Sequence, residues 1–284
     1  MGAGEKVSFL SEGLEIQGEL WTADPPSRQA VLFCHGALET QKNWADFAEK
    51  LSRAGFTCLT FDFAGHGQSG GLSGLVNLRT WAYNIRDAII YLEERGCLTS
   101  SLVGYDSGGS AALLAAAHDP RVNCAVILSA PVYLLPTLAE RIVYGLASLV
   151  ARLKQAVLHK PLMLSRLNEI KNLGILSDHE ANEAYFADPE VQEIYKTVPI
   201  PQSLDSVWVD ITAAARKVNI PVLVIHGSND QIFPTKQSQK LVDLLPGRKE
   251  YKLIEASGHA VHLDIGKDEV YGLILGWIKT NFDR

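Results

Sequence analysis

The sequence predicts an α/β protein: a mostly parallel sheet covered by helices on both faces, opened by an antiparallel hairpin. Three observations carry this. Short apolar runs rich in Val, Ile, Leu and Phe alternate with segments of helical spacing along most of the 284 residues. Those runs show little polar alternation, so both of their faces are expected to be buried, as in a parallel sheet. One long interval, residues 132–219, breaks the rhythm with helical patterns and no clear strand.

The elements follow in order. Residues 6–23, KVSFLSEGLEIQGELWTA, read as two strands joined by a Ser-Glu-Gly turn. AVLFCHG (30–36) is a buried strand, and NWADFAEKLSRAG (43–55) has helical spacing ended by glycine. TCLTFDFAG (57–65) is a strand and residues 78–96 a helix. SSLVGY (100–105), NCAVILSAP (123–131), IPVLVIHG (220–227) and EYKLIEA (250–256) are further strands.

Within 132–219, residues 135–159 form a long amphipathic helix with an apolar stripe of Leu138, Ile142, Leu146, Leu149 and Leu153. An insertion at the carboxyl ends of sheet strands covers the place where α/β proteins bind ligands. The chain therefore divides into a core, 1–131 with 220–284, and a helical lid, 132–219. The stripe would suit a hydrophobic substrate, or be core.

The net charge of −6, without a basic run, argues against a nucleic-acid partner. No stretch is long and apolar enough for a membrane span, and the first residues do not read as a signal peptide. Cys34, Cys58, Cys97 and Cys124 form no CxxC pair and read as buried thiols. These features lead us to expect a cytoplasmic protein without metal or cofactor.

The sharpest local signal is VGYDSGG (103–109), where a strand must turn into the helix SAALLAAA. A nucleophile elbow has the form small-x-nucleophile-x-small, because strand and helix approach closely while the central residue takes a strained backbone. Centring on Asp106 puts Gly104 and Gly108 at the small positions. Centring on Ser107 puts Tyr105 there, which is too large. Asp106 is thus expected at the apex, with the Ser107 N–H facing the same site. The turn after His35-Gly36 offers the N–H of Ala37, and two such donors make an oxyanion hole. Asp230 follows a late strand and His259 the last one.

Together HGALETQKNW, FDFAGHGQSGG, VGYDSGG, VIHGSNDQIFP and SGHAVHLD resemble the α/β-hydrolase superfamily over nearly the whole chain. The order Asp106, Asp230, His259 matches its nucleophile, acid and histidine. FDFAGHGQSGG with the HGA turn most resembles the lysophospholipase and monoacylglycerol-lipase-like branch, whose members carry serine at the apex. Aspartate there resembles epoxide hydrolases and haloalkane or haloacid dehalogenases. Those relatives often carry a proline shortly after the first HG and a tryptophan after the nucleophile. This chain has Ala37-Leu38 and Ser107.

An aspartate, with an ordinary pKa of roughly 3.9, is ionised at neutral pH and can attack without a base. Attack on an ester carbonyl gives a high-energy mixed anhydride. Attack on an sp³ carbon bearing a halide or epoxide gives an alkyl ester, which water activated by His259 and Asp230 would cleave. A tyrosine would serve as the acid for an epoxide oxygen. Tyr133 and Tyr144 are candidates, with Tyr185 and Tyr195 also in the lid. The expected partner is a small hydrophobic substrate, and epoxide chemistry is preferred over halide. Two alternatives stand beside it. One is a serine-type carboxylester hydrolase, using Ser107 or an elbow altered from serine to aspartate. The other is a catalytically silent fold that binds a hydrophobic ligand.

Overall fold

The chain is described by a computed structural model covering residues 4–135, 137–196, 198–200 and 208–282. The expected hairpin forms from β1 (Glu5–Ser11) and β2 (Leu14–Trp21), with positive φ at Glu12 and Gly13 in the turn. The alternating region then runs β3 (Gln29–Cys34), α1 (Ala45–Arg53), β4 (Thr57–Phe61), α2 (Leu78–Glu93), β5 (Thr99–Tyr105), α3 (Asp106–Ala116) and β6 (Val122–Leu128). The Asn77 side chain caps α2, accepting from the N–H groups of Arg79 and Thr80 at 3.1 Å each.

The interval after β6 holds β7 (Tyr133–Leu134), α4 (Leu138–Leu158), β8 (Leu162–Leu164), α5 (Leu167–Leu173), α6 (His179–Ala187) and α7 (Pro189–Tyr195). It ends with β9 (Val198–Ile200), β10 (Val209–Asp210) and α8 (Thr212–Ala215). The alternation resumes with β11 (Val222–Gly227), α9 (Lys236–Leu244), β12 (Lys249–Ile254) and α10 (Lys267–Phe282).

Eight strands make one sheet in the order β1-β2-β4-β3-β5-β6-β11-β12. It is antiparallel through β1, β2 and β4, and parallel from β4 to β12. Side chains alternate across it. Ala30, Leu32 and Cys34 of β3 join the apolar cluster that holds Trp81 and Ile85 of α2, Ala111 and Ala112 of α3 and Leu241 of α9. Val31 and Phe33 join the opposite cluster, with Phe47 and Leu51 of α1 and Ile274 and Ile278 of α10. Both faces are covered, which is why the parallel strands read as unbroken apolar runs. All four cysteines are buried and free.

The interval 132–219 departs from expectation in three ways. It is not purely helical: β7 pairs with β10, and β8 with β9. Strands of two or three residues are too short to show a period of two. The stripe of α4 is neither core nor pocket wall. Leu138, Ile142, Leu146, Leu149 and Leu153 all lie exposed to solvent. Tyr133 does not line the pocket either. Gln237 holds the backbone of Val132 and Tyr133, and the tyrosine ring lies under the Lys240 ammonium, 3.6 Å from its centroid. Tyr144 belongs to α4, with its side chain outside the described residues.

Candidate active site

Asp106 opens α3 directly after β5, with a φ of +50°. This left-handed backbone costs a non-glycine residue on the order of 1–3 kcal/mol and persists only where its surroundings enforce it. The enforcement is steric. A Cβ on Gly104 would stand 2.7 Å from the Gly109 Cα, and one on Gly108 would collide with the His35 carbonyl. The two small positions of the elbow are thus required by the crossing of strand and helix. Ser107 lies one residue into α3, buried, and its hydroxyl is 3.4 Å from Asp106 Oδ1.

The Asp106 carboxylate turns toward backbone donors. The Ala37 N–H donates to Oδ2 at 2.8 Å, and the Ser107 N–H donates to the same carboxylate. No hydrogen bond joins Asp106 to His259. Burial raises the Asp106 pKa, against the pull of His259 and the two N–H groups.

Asp230 follows β11 in a tight loop. Its Oδ1 accepts from Ile232 and Phe233 N–H at 2.8 and 2.9 Å. Its Oδ2 accepts from His259 Nδ1 at 2.8 Å and lies 3.0 Å from His226 Nε2. Burial would raise the Asp230 carboxyl, but His259 and these donors hold it well below the usual carboxylate range. For His259 the balance runs the other way. Burial would lower its pKa, yet Asp230 first, then Asp106 and Glu39, keep it raised. The ring packs against Tyr105 and Phe233, with centroids 5.0 and 5.2 Å away.

The sequence reading passed over two further residues. His226, in the second HG turn, has Nε2 facing Asp230 and the Phe233 carbonyl, and Nδ1 2.7 Å from the Ser238 hydroxyl. Two acceptors at Nε2 place its proton there. Glu39 lies two residues past Ala37 and lines the same cavity. Burial pushes its carboxyl up to about 8. A His-Gly pair at a second strand end, and an acid just after the first, were the available signals.

These groups open on a cavity of about 380 Å³. Asp106, Ser107, Ala37, Glu39 and His259 line it. Leu134, Ile170, Leu173, Tyr195, Val198 and Val209, from the interval 132–219, also line it. Among the described residues of that interval, Tyr195 and not Tyr133 is the tyrosine on the cavity wall, and it hydrogen-bonds Tyr185.

The monoacylglycerol lipase of Mycolicibacterium smegmatis is 25% identical over 275 residues, 95% of this chain and 94% of that protein. The solved monoacylglycerol lipase of Paleococcus ferrophilus superposes with a TM-score of 0.72 at 23% identity, covering 94% of this chain and 99% of that one. A structure of DcsB in complex with a substrate analogue superposes at 0.84 with 20% identity, covering 98% and 99%. The similarity to lipases does not support the preference for epoxide or halide chemistry and favours the ester-hydrolase alternative. Residues 25–266 match the family model Hydrolase_4, described as serine aminopeptidase S33; the chain belongs to this family of α/β-hydrolases.

Proposed function

We propose that the protein hydrolyses esters of hydrophobic acyl chains, as a monoacylglycerol-lipase-like enzyme whose elbow carries aspartate where serine is usual. The observation that supports this most is the His259–Asp230 hydrogen bond of 2.8 Å beside the strained elbow, on the wall of a largely apolar cavity. Residues 132–219 act as the lid that supplies the apolar wall.

Asp106 offers no hydroxyl to become an alkoxide, so the reaction runs through water. Burial makes Asp106 a stronger base than an ordinary carboxylate, and Asp230, Asp106 and Glu39 favour the protonated form of His259, which the route uses as its acid. Water adds to the ester carbonyl and gives a proton to Asp106. The new oxyanion takes the Ala37 and Ser107 N–H groups as the Asp106 carboxylate leaves them. The bond to the alcohol breaks, and His259 donates its proton to the departing oxygen. Proton return from Asp106 to His259 resets the site. Ester and water become acid and alcohol.

A second reading has Asp106 attack an sp³ carbon. It is favoured by one observation: Oδ2 is held by the Ala37 N–H at 2.8 Å, while Oδ1 has a long 3.4 Å contact with the Ser107 hydroxyl and is the more loosely held oxygen. One panel separates the two. Purified protein is offered monoacylglycerols, p-nitrophenyl acyl esters, styrene oxide and a bromoalkane. The first reading expects ester turnover that Asp106→Asn lowers by at least about 100-fold. Turnover of the epoxide or bromoalkane alone, with a covalent adduct on Asp106 accumulating in His259→Gln, would replace it with the second.

A further inference from the structure

The loop that carries His259 follows β12 and is held from two sides. One side is tied to the loop of Asp230. The Asn229 N–H donates to the Ser257 carbonyl at 2.9 Å, and the Ala256 N–H donates to the Ser228 hydroxyl at 2.8 Å. A Cβ on Gly227 would collide with the Gly258 carbonyl, so the two loops meet backbone to backbone. Bonds along this side alone would leave the histidine loop hinged about the contact.

The other side is closed through one carboxyl group. Asp264 is buried, and its Oδ2 accepts from the Gly258 N–H at 2.5 Å, the Ser177 N–H at 2.9 Å and the Ser257 hydroxyl at 3.3 Å. Its Oδ1 accepts from the Ile265 N–H at 2.9 Å. Gly258 immediately precedes His259, and Ser177 belongs to the interval 132–219. On the far side of the histidine, the Ala260 N–H donates to the Ile175 carbonyl at 2.9 Å. A Cβ on Gly258 would stand 2.9 Å from that same carbonyl. The residues before and after His259 are thus both fastened to one short stretch of the lid, 175–177. That stretch is itself braced: Asn182 Oδ1 accepts from the Ile175 and Leu176 N–H groups at 3.0 and 3.3 Å, and its Nδ2 donates to the Lys171 carbonyl at 3.2 Å. Asp264 is not among the residues lining the cavity, so any effect on the reaction passes through the histidine backbone. A catalytic side chain holds its geometry only when its own support is locked by hydrogen bonds of this kind.

We propose that Asp264 is a positioning residue for His259, fixing the backbone at 258 against the lid stretch 175–177 so that the imidazole meets both Asp230 and the ester. The kinetic part of this rests on the ester-hydrolase reading; the geometric part does not. Asp264→Ala removes the acceptor, whereas Asp264→Asn keeps one oxygen that can turn toward Gly258 and Ser177. In Asp264→Ala, kcat on p-nitrophenyl acyl esters falls by about 100-fold with KM unchanged, the effect of a misplaced catalytic group. The far-downfield proton NMR resonance of His259 Nδ1, which Asp230→Asn identifies by removing it, shifts or broadens. Asp264→Asn brings back the resonance and most of the rate. Folded Asp264→Ala with the parent's resonance and kcat, or with a raised KM and unchanged kcat, overturns the proposal. Hydrogen exchange in the parent decides the matter if Asp264→Ala does not fold. The Ser177, Gly258 and Ala260 amides should open together as one unit. Exchange at Ser177 while Gly258 stays protected separates the lid from the histidine loop and overturns the proposal. A parent that cleaves no ester defeats the functional reading only, because resonance and exchange are read without turnover.

Discussion

The backbone N–H of Ala37 donates to Oδ2 of Asp106 at 2.8 Å. The donor that the sequence assigns to an oxyanion is thus engaged by the protein's own carboxylate. Any substrate oxygen that uses this donor must first displace a charged group, and that bears directly on the effect of substitutions at 106.

Asp106→Ser removes the competing carboxylate and puts a hydroxyl on the apex beside a histidine already paired with Asp230. Turnover of p-nitrophenyl acyl esters should rise by about 100-fold or more over the parent, in line with the worth of freed oxyanion donors and a base-activated nucleophile. A steady-state comparison of the two proteins checks this. A serine variant slower than the parent would show that Asp106 contributes more than its position.

Asp230→Asn keeps the loop hydrogen bonds to Ile232 and Phe233 available but removes the charge that orients His259. kcat should fall by on the order of 10⁴-fold with little change in fold. Far-UV circular dichroism run beside the kinetics separates lost catalysis from lost structure.

The pH profile separates the mechanisms. The water route needs Asp106 ionised and His259 protonated, and both pKa values are raised. Activity should therefore climb as pH passes above the ordinary carboxylate value, and fall at a pH above the ordinary histidine value of about 6.5. If His259 acts as a base, in either a serine or an alkyl-enzyme route, activity instead increases through that second titration. A plateau on the alkaline side would exclude the water route.

Glu39 makes stability depend on pH. Its carboxyl titrates near 8 in the folded chain, against 4.5 for its reference value. Between those values the folded state holds a proton that the unfolded state has lost, so stability falls as pH rises, by about 1.4 kcal/mol per pH unit for one proton. Glu39→Gln removes this slope. Urea unfolding of both proteins from pH 5 to pH 8 (about the titration window) checks it. His259 adds a trend of the same sign, because its raised pKa gives stability that is lost as pH rises through it.

The parts legible in the sequence share a cause. β3, β5 and β11 are covered on both faces, so their apolar runs needed no partner to be recognised. The elbow at Asp106 was legible because only small residues fit at 104 and 108, a local steric demand written locally. The outward face of α4 was not legible: periodicity finds an apolar stripe but not which way it points, and burial is a property of the whole fold. Tyr195 was not singled out for a similar reason. Its place on the cavity wall depends on how α7 packs, and nothing in the residues around it distinguishes it from Tyr133.

The four buried cysteines have a practical consequence. Burial raises the thiol pKa of every one, so the folded protein presents almost no thiolate to an alkylating reagent. Cys34, Cys58 and Cys124 lie on three separate strands of the main sheet. Reaction at these three reports how often the sheet opens, and mapping the labelled peptides over time orders its strands by local stability without adding a probe.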